Sequence, residues 1–171
     1  VLVLVKTTQT EAPEVAAAVR RAAAAGAALV TLQNGLGNRE VLERAAGVDR
    51  VAVGVATLGA TLLGPASVRT FPGEVVLARD GRPATDAKLE QLTGLLSRVG
   101  IPTATSPDVG PLVWGKLAVN CAINPLVALT GLTNGALLDH RRLRTLMSRA
   151  AREVADVAKA KGIHLPGDPA K

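Results

Sequence analysis

The stretch A-L-V-T-L-Q-N-G-L-G-N-R-E-V-L-E-R-A-A-G-V-D-R-V-A-V-G-V-A-T-L, residues 28–58 of the 171-residue chain, decides the fold. It opens with a short apolar run, Ala28–Leu32, and turns at Gln33-Asn34-Gly35-Leu36-Gly37. A helical pattern follows near Asn38–Ala46, then a second apolar run, Val51–Leu58. Continuous apolar runs, as opposed to alternating ones, are the signature of strands covered on both faces. Strand, glycine turn, helix and strand in direct succession make a βαβ unit, whose two strands lie parallel.

The pattern extends in both directions. Upstream, Val1–Val5 is a further apolar β-branched run, and Pro13 opens a helix carrying Val15, Ala18, Val19, Ala22 and Ala23 up to Gly26. Downstream, Ser67–Phe71 and Glu74–Ala78 flank Pro72-Gly73 and read as an antiparallel hairpin. Asp80-Gly81-Arg82-Pro83 is a turn, Thr85 a candidate N-cap, and Ala87–Val99 a helix closed by Gly100. Ile101–Thr105 suits an edge strand. After Ser106-Pro107 the strand pattern stops, and residues 109–162 read as helix broken at Pro125, Gly131 and Gly135. The expected organisation is an α/β layer over residues 1–105 and helices alone over 106–171.

Composition narrows the function. Apolar residues make up 48% of the chain, yet Trp114 and Phe71 are its only aromatics, so the core must be built from Ala, Val and Leu. The net charge of +6 is concentrated at Arg141, Arg142, Arg144, Arg149 and Arg152. These lie on a helix whose apolar stripe is Leu143, Leu146, Met147, Ala150 and Val154, which reads as a solvated amphipathic face. Without aromatics interleaved among basic residues, nucleic-acid binding has no support. No run of eighteen apolar residues occurs, so no membrane span is expected. The single cysteine, Cys121, sits among apolar neighbours as a small core residue, and its usage fits a reducing, cytoplasmic setting. No metal site is expected.

Chemistry concentrates in W-G-K-L-A-V-N-C-A-I-N-P, residues 114–125. Lys116, Asn120 and Asn124 are spaced i, i+4, i+8 and so share one helix face. The intervening residues are all apolar, which reads as a buried helix. An ammonium and two carboxamides aimed from such a helix require a polar partner, either internal or a ligand. The nearby sequence supplies only Asp108 and Asp139 as internal partners. Pro125 lacks an N–H and clashes with the carbonyl of Cys121, so the helix is expected to kink or end beside Asn124. Two further polar positions, Lys6 and Asn34-Gly35, follow apolar strands, where open parallel sheets bind ligands.

Several segments together resemble the ketopantoate reductase (2-dehydropantoate 2-reductase) family. They are V-K-T-T-Q-T after the first strand, T-L-Q-N-G-L-G-N-R-E-V-L, G-A-T-L-L-G-P-A-S-V-R-T-F-P-G, and W-G-K-L-A-V-N-C-A-I-N-P-L with N-G-A-L-L beyond it. The resemblance runs from Val1 to about Gly162, in order and spacing. It implies the C-terminal part of a Rossmann-type NADP-binding domain over residues 1–105. Residues 106–171 would be the start of an all-α substrate domain like the C-terminal domain of 6-phosphogluconate dehydrogenase. It implies NADPH-dependent reduction of 2-dehydropantoate to (R)-pantoate on the path to pantothenate and coenzyme A. It implies Lys116 as the catalytic acid, Asn120, Asn124 and Asn134 as substrate-binding residues, and Lys6, Asn34 and Ala60 as NADPH contacts. The partner is then a small keto acid, with a homodimer allowed for the full-length protein.

The chain departs from the family at both ends. It has no G-x-G-x-x-G turn to seat a pyrophosphate, and no C-terminal helices supplying a serine and a glutamate. It is expected to be a central fragment, inactive in isolation. Alternatives are a related reductase for another 2-keto acid or an opine-type substrate, and a truncated, non-catalytic binding module.

Overall fold

The computed structural model describes residues 1–168; residues 169–171, the end of the helical segment expected over 106–171, lie outside the described residues. Two compact units divide the chain, Val1–Val109 and Gly110–Lys171.

The first unit is a mixed sheet of five strands, in the spatial order β1 (Leu2–Val3), β2 (Leu29–Thr31), β3 (Val51–Ala56), β6 (Val75–Ala78) and β7 (Thr103–Ser106). Strands β1, β2 and β3 run parallel. Helix α1 (Pro13–Ala24) connects the first pair and α2 (Asn38–Ala46) the second, so residues 28–58 form the βαβ unit that their pattern requires. Side-chain alternation along the strands divides the core. Val3, Leu29 and Val51 pack with Val19 of α1 and Leu42 of α2. Val30 and Ala52 face the other way and pack with Val75 and Leu77 of β6 and Leu89 of α3 (Pro83–Arg98). The sheet is therefore covered on both faces by helices, which explains why its central strands are apolar throughout.

The expected hairpin across Pro72-Gly73 does not form. Ser67–Phe71 (β5) pairs instead with Gly59–Gly64 (β4), Leu62 opposite Val68 and Gly59 opposite Phe71, as an exposed two-stranded ribbon. Its two-residue turn is Pro65-Ala66, with Ala66 at φ 57°. Strand β6 joins the main sheet, antiparallel to β3 and parallel to β7. Burial decides between the alternatives: Val75, Leu77 and Ala78 are all nearly inaccessible in the main sheet, whereas every residue of β5 is exposed. Pro72-Gly73 acts as a strap in place of a turn. A Cβ on Gly73 would lie 2.5 Å from the Leu58 nitrogen and 2.7 Å from the Thr57 oxygen, so only glycine permits this backbone contact.

Other boundaries shift for local reasons. Ladder pairing of β1 covers only Leu2 and Val3, and the Val5 carbonyl accepts from the Gln33 side chain. Helix α3 begins at Pro83, which suits a first turn. Thr85 lies inside that turn, and its hydroxyl donates to the Asp49 carbonyl at 2.7 Å. A group of four half-buried charges joins α2 to the β6–α3 turn. Arg39 contacts Glu43 at 2.8 Å and Asp80 at 2.5 Å, and Arg82 lies 3.3 Å from both carboxylates.

The second unit holds most of α4 (Val109–Thr130) together with α5 (Asn134–Leu137) and α6 (Arg141–Ala160). No strand is found among its described residues. Helix α4 does not end at Asn124: it continues through Pro125 to Thr130, and Gly135 likewise lies inside α5. The expected burial of α4 is also only partial. Trp114, Ala118 and Ala122 are buried on a single stripe, while Val119 and Leu129 stand 51% and 82% exposed. The stripe combines Trp114 with two alanines, and the apolar residues flanking it are half-buried or exposed.

Candidate active site

In the first unit, Lys6 and Asn34 follow the carboxyl ends of the adjacent parallel strands β1 and β2, the edge at which open α/β sheets bind ligands. Hydrogen bonds tie their loops together. The Gln33 amide donates to the Val5 carbonyl at 2.6 Å and to Thr10 Oγ1 at 2.8 Å, while its oxygen accepts from Thr31 Oγ1 at 3.0 Å. The Asn34 carbonyl accepts from Thr7 Oγ1 and from Asn38 Nδ2, both at 3.1 Å. The main chain is anchored, yet the Lys6 and Asn34 side chains remain exposed. Gly35 and Gly37 take φ of 91° and 84°, and a Cβ at either would meet nothing within 4 Å. Their glycines are required by backbone conformation, and the space above them is open to a ligand. An exposed cation, an exposed carboxamide and an approachable backbone suit a ligand with anionic and hydrogen-bonding groups.

Ala60 stands apart from this network, in the exposed β4–β5 ribbon opposite Thr70. Gln33 and Asn38 received no role from their sequence context, although Gln33 belongs to the Q-N-G turn. The Gln33 partners Val5 and Thr10 depend on which strands are neighbours, which no local pattern reports; Asn38 bonds four residues back, across a glycine turn whose conformation the sequence leaves open. Thr10, 2% exposed and bonded to Gln33, lies within the polar run Lys6–Glu11, so nothing in the sequence singles it out.

In the second unit, α4 carries Lys116, Asn120 and Asn124 within one continuous helix, so their spacing places them along one face. Lys116 and Asn120 are half-buried and Asn124 is exposed. Burial lowers the Lys116 pKa below the ordinary lysine value of 10.5, because desolvation disfavours its charged form. Such a shift moves an ammonium toward the range in which it releases a proton readily. Asn134 opens α5, whose N-cap Thr133 accepts from the Ala136 N–H at 3.3 Å; the Asn134 side chain is exposed. Among the described residues no group of three or more His, Cys, Asp or Glu side chains is placed to hold a metal ion.

Helix α4 is also long and apolar enough, by length and composition, to cross a membrane. A lysine and two asparagines along one face argue for a domain helix instead.

Comparison with known proteins accounts for both units. Residues 1–81 match the family model described as Ketopantoate reductase PanE/ApbA, and residues 108–171 match Ketopantoate reductase PanE/ApbA C terminal. The chain belongs to the ketopantoate reductase family. It is 36% identical to 2-dehydropantoate 2-reductase of Halobacterium salinarum over 138 residues, covering 81% of this chain and 46% of that protein. It is 32% identical to the Pyrobaculum aerophilum enzyme of the same name, covering 82% and 47%. Among solved structures, the PanE/ApbA family ketopantoate reductase of Ralstonia eutropha superposes with a TM-score of 0.79 at 34% identity, covering 99% of this chain and 54% of that one. D-mandelate dehydrogenase with NADH superposes at 0.84, covering 96% and 54%, but at 23% identity this likeness concerns the fold alone. The chain spans about half the length of the ketopantoate reductases that it matches. Its architecture is that of the family, an α/β part followed by a helical part.

Proposed function

We propose that the protein carrying this chain is an NADPH-dependent 2-dehydropantoate 2-reductase, forming (R)-pantoate for pantothenate and coenzyme A synthesis in the cytoplasm. The observation that carries this reading is the face of α4: a half-buried lysine of lowered pKa with two carboxamides, one and two turns further on. Residues 1–105 then form the C-terminal part of the NADP-binding domain, and residues 106–171 the beginning of the substrate domain.

The dinucleotide, when bound, supplies the hydride. Asn34 and Lys6 are the groups to hold its nicotinamide end and a phosphate, with Gly35 and Gly37 permitting close approach, and Ala60 is a further contact. Lys116 stabilises the negative charge that develops on the ketone oxygen and donates the proton that completes the alcohol. Asn120, Asn124 and Asn134 offer both donors and an acceptor each, which matches a substrate bearing hydroxyl, keto and carboxylate oxygens. A homodimer is the assembly proposed for the full-length protein.

The test is NADPH consumption by the purified whole protein, with ketopantoate compared against other 2-keto acids and NADPH against NADH. Ketopantoate should give the highest kcat/KM. A higher kcat/KM with another 2-keto acid would replace the substrate assignment. NADPH binding without turnover of any keto acid would remove the enzymatic reading altogether.

A further inference from the structure

Asn38 is the first residue of α2 and only 4% exposed, and its side chain is half used. Nδ2 donates to the Asn34 carbonyl four residues back, while Oδ1 is buried without a partner. Exchanging the two amide atoms would bring two acceptors face to face, so the hydrogen bond itself fixes the orientation. A buried, unpaired carboxamide oxygen is unfavourable, and a leucine of similar shape would avoid it. The chain nonetheless places asparagine here, which directs attention to the other half of the group.

That half acts on a single peptide. The Asn34 carbonyl receives two donors, Thr7 Oγ1 from the loop after β1 and Asn38 Nδ2 from the start of α2. A carbonyl oxygen has two lone pairs, so both are filled. The Asn34–Gly35 peptide is then held from both sides, at the point where Gly35 adopts φ of 91°. Fixing this peptide fixes the direction of the Gly35 N–H and the origin of the exposed Asn34 side chain. With Nδ2 removed, one donor remains and the peptide can turn about it.

We propose that Asn38 is a positioning residue for the dinucleotide: it touches no ligand, and it holds the Asn34–Gly35 peptide in the orientation that the nicotinamide end meets. This rests on the proposed function, since it requires Asn34 to face the cofactor. The unpaired Oδ1 is the stability cost of keeping a donor at this position.

The experiment compares the whole protein with its Asn38→Leu and Thr7→Val variants, measuring NADPH dissociation constant, KM for ketopantoate, kcat and thermal midpoint. Asn38→Leu keeps the shape and removes both the donor and the orphan acceptor. Its thermal midpoint should equal or exceed that of the native protein. Its NADPH affinity should fall about threefold to tenfold, the range of one lost hydrogen bond. KM for ketopantoate should stay unchanged. Thr7→Val removes the other donor to the same carbonyl from an exposed side chain, leaves the buried amide untouched, and should lower NADPH affinity by a similar factor. An NADPH affinity of Asn38→Leu equal to that of the native protein would overturn the proposal. So would an affinity loss confined to Asn38→Leu, accompanied by a falling thermal midpoint and absent from Thr7→Val. A native protein that does not bind NADPH would overturn the functional reading itself, and the positioning role with it.

Discussion

Two alanines placed in the same unit should act in opposite directions. At Gly73 a Cβ would sit 2.5 Å from Leu58 N, 2.6 Å from Thr57 C and 2.7 Å from Thr57 O. All three atoms are backbone, so no rotamer change relieves the clash, and the strap must move away from the end of β3. Moving it weakens the contacts that dock it, Thr57 N to Glu74 O at 2.9 Å and Glu74 N to Thr57 Oγ1 at 2.9 Å. Overpacking and these hydrogen bonds together put Gly73→Ala at about 2–4 kcal/mol destabilising. Gly94 lies within α3, and a Cβ there would meet nothing within 4 Å. Gly94→Ala should therefore stabilise by about 0.5–1 kcal/mol, the helix preference of alanine over glycine. In urea, with m near 2 kcal/mol/M, the midpoints should move about 1–2 M down and about 0.25–0.5 M up. A Gly73→Ala protein whose midpoint coincides with that of the native chain would refute the close backbone contact, and with it the placement of β6 in the main sheet.

Three other expectations concern charge and binding. Because the folded-state pKa of Lys116 is lowered, the unfolded chain binds more protons between that value and 10.5, and stability should rise with pH across this interval. Over the same folded-state pKa kcat/KM should fall as pH rises, since the acid of the free enzyme loses its proton; a pH-rate profile checks both the limb and its absence in Lys116→Ala. Asp80→Ala leaves Arg39 and Arg82 sharing Glu43 alone, at side chains 17–24% exposed, and should cost about 1–3 kcal/mol in thermal unfolding, between exposed and buried pairs. Asn120→Ala and Asn124→Ala should raise KM for the keto acid more than they lower kcat, whereas Asn34→Ala should weaken NADPH; steady-state kinetics with each substrate varied in turn separates the two patterns.

The βαβ heart of the fold was legible because it depends on local pattern: apolar runs, a double-glycine turn and helical periodicity within one stretch. The common face of Lys116, Asn120 and Asn124 was legible for the same reason, as a property of a single helix. The misassigned hairpin illustrates what local pattern lacks. Pro72-Gly73 is a strong turn signal, whereas the actual turn, Pro65-Ala66, asks a non-glycine residue to adopt φ of 57°. Burial of Val75 and Leu77 against β3 and Leu89, a long-range effect, outweighs that preference. Pro125 does not end the helix: α4 runs on to Thr130 with Asn124 and Pro125 both exposed, so the missing N–H is a local cost that the remaining helical bonds carry. Gln33 was invisible because its partners Val5 and Thr10 become neighbours only after β1 and β2 pair, and Asn38 because its bond to the Asn34 carbonyl, four residues back, depends on the left-handed turn at Gly35 and Gly37.

The central claim is that Lys116 is the proton donor of a ketone reduction. The most direct measurement is steady-state reduction of ketopantoate by the whole protein carrying Lys116→Ala, with NADPH saturating. A positioned acid contributes on the order of 10²–10⁴-fold, so kcat should fall by that factor while the NADPH dissociation constant changes little. A kcat within about threefold of the native value would contradict the assignment, because an acid acting in the transition state cannot be removed at so small a cost.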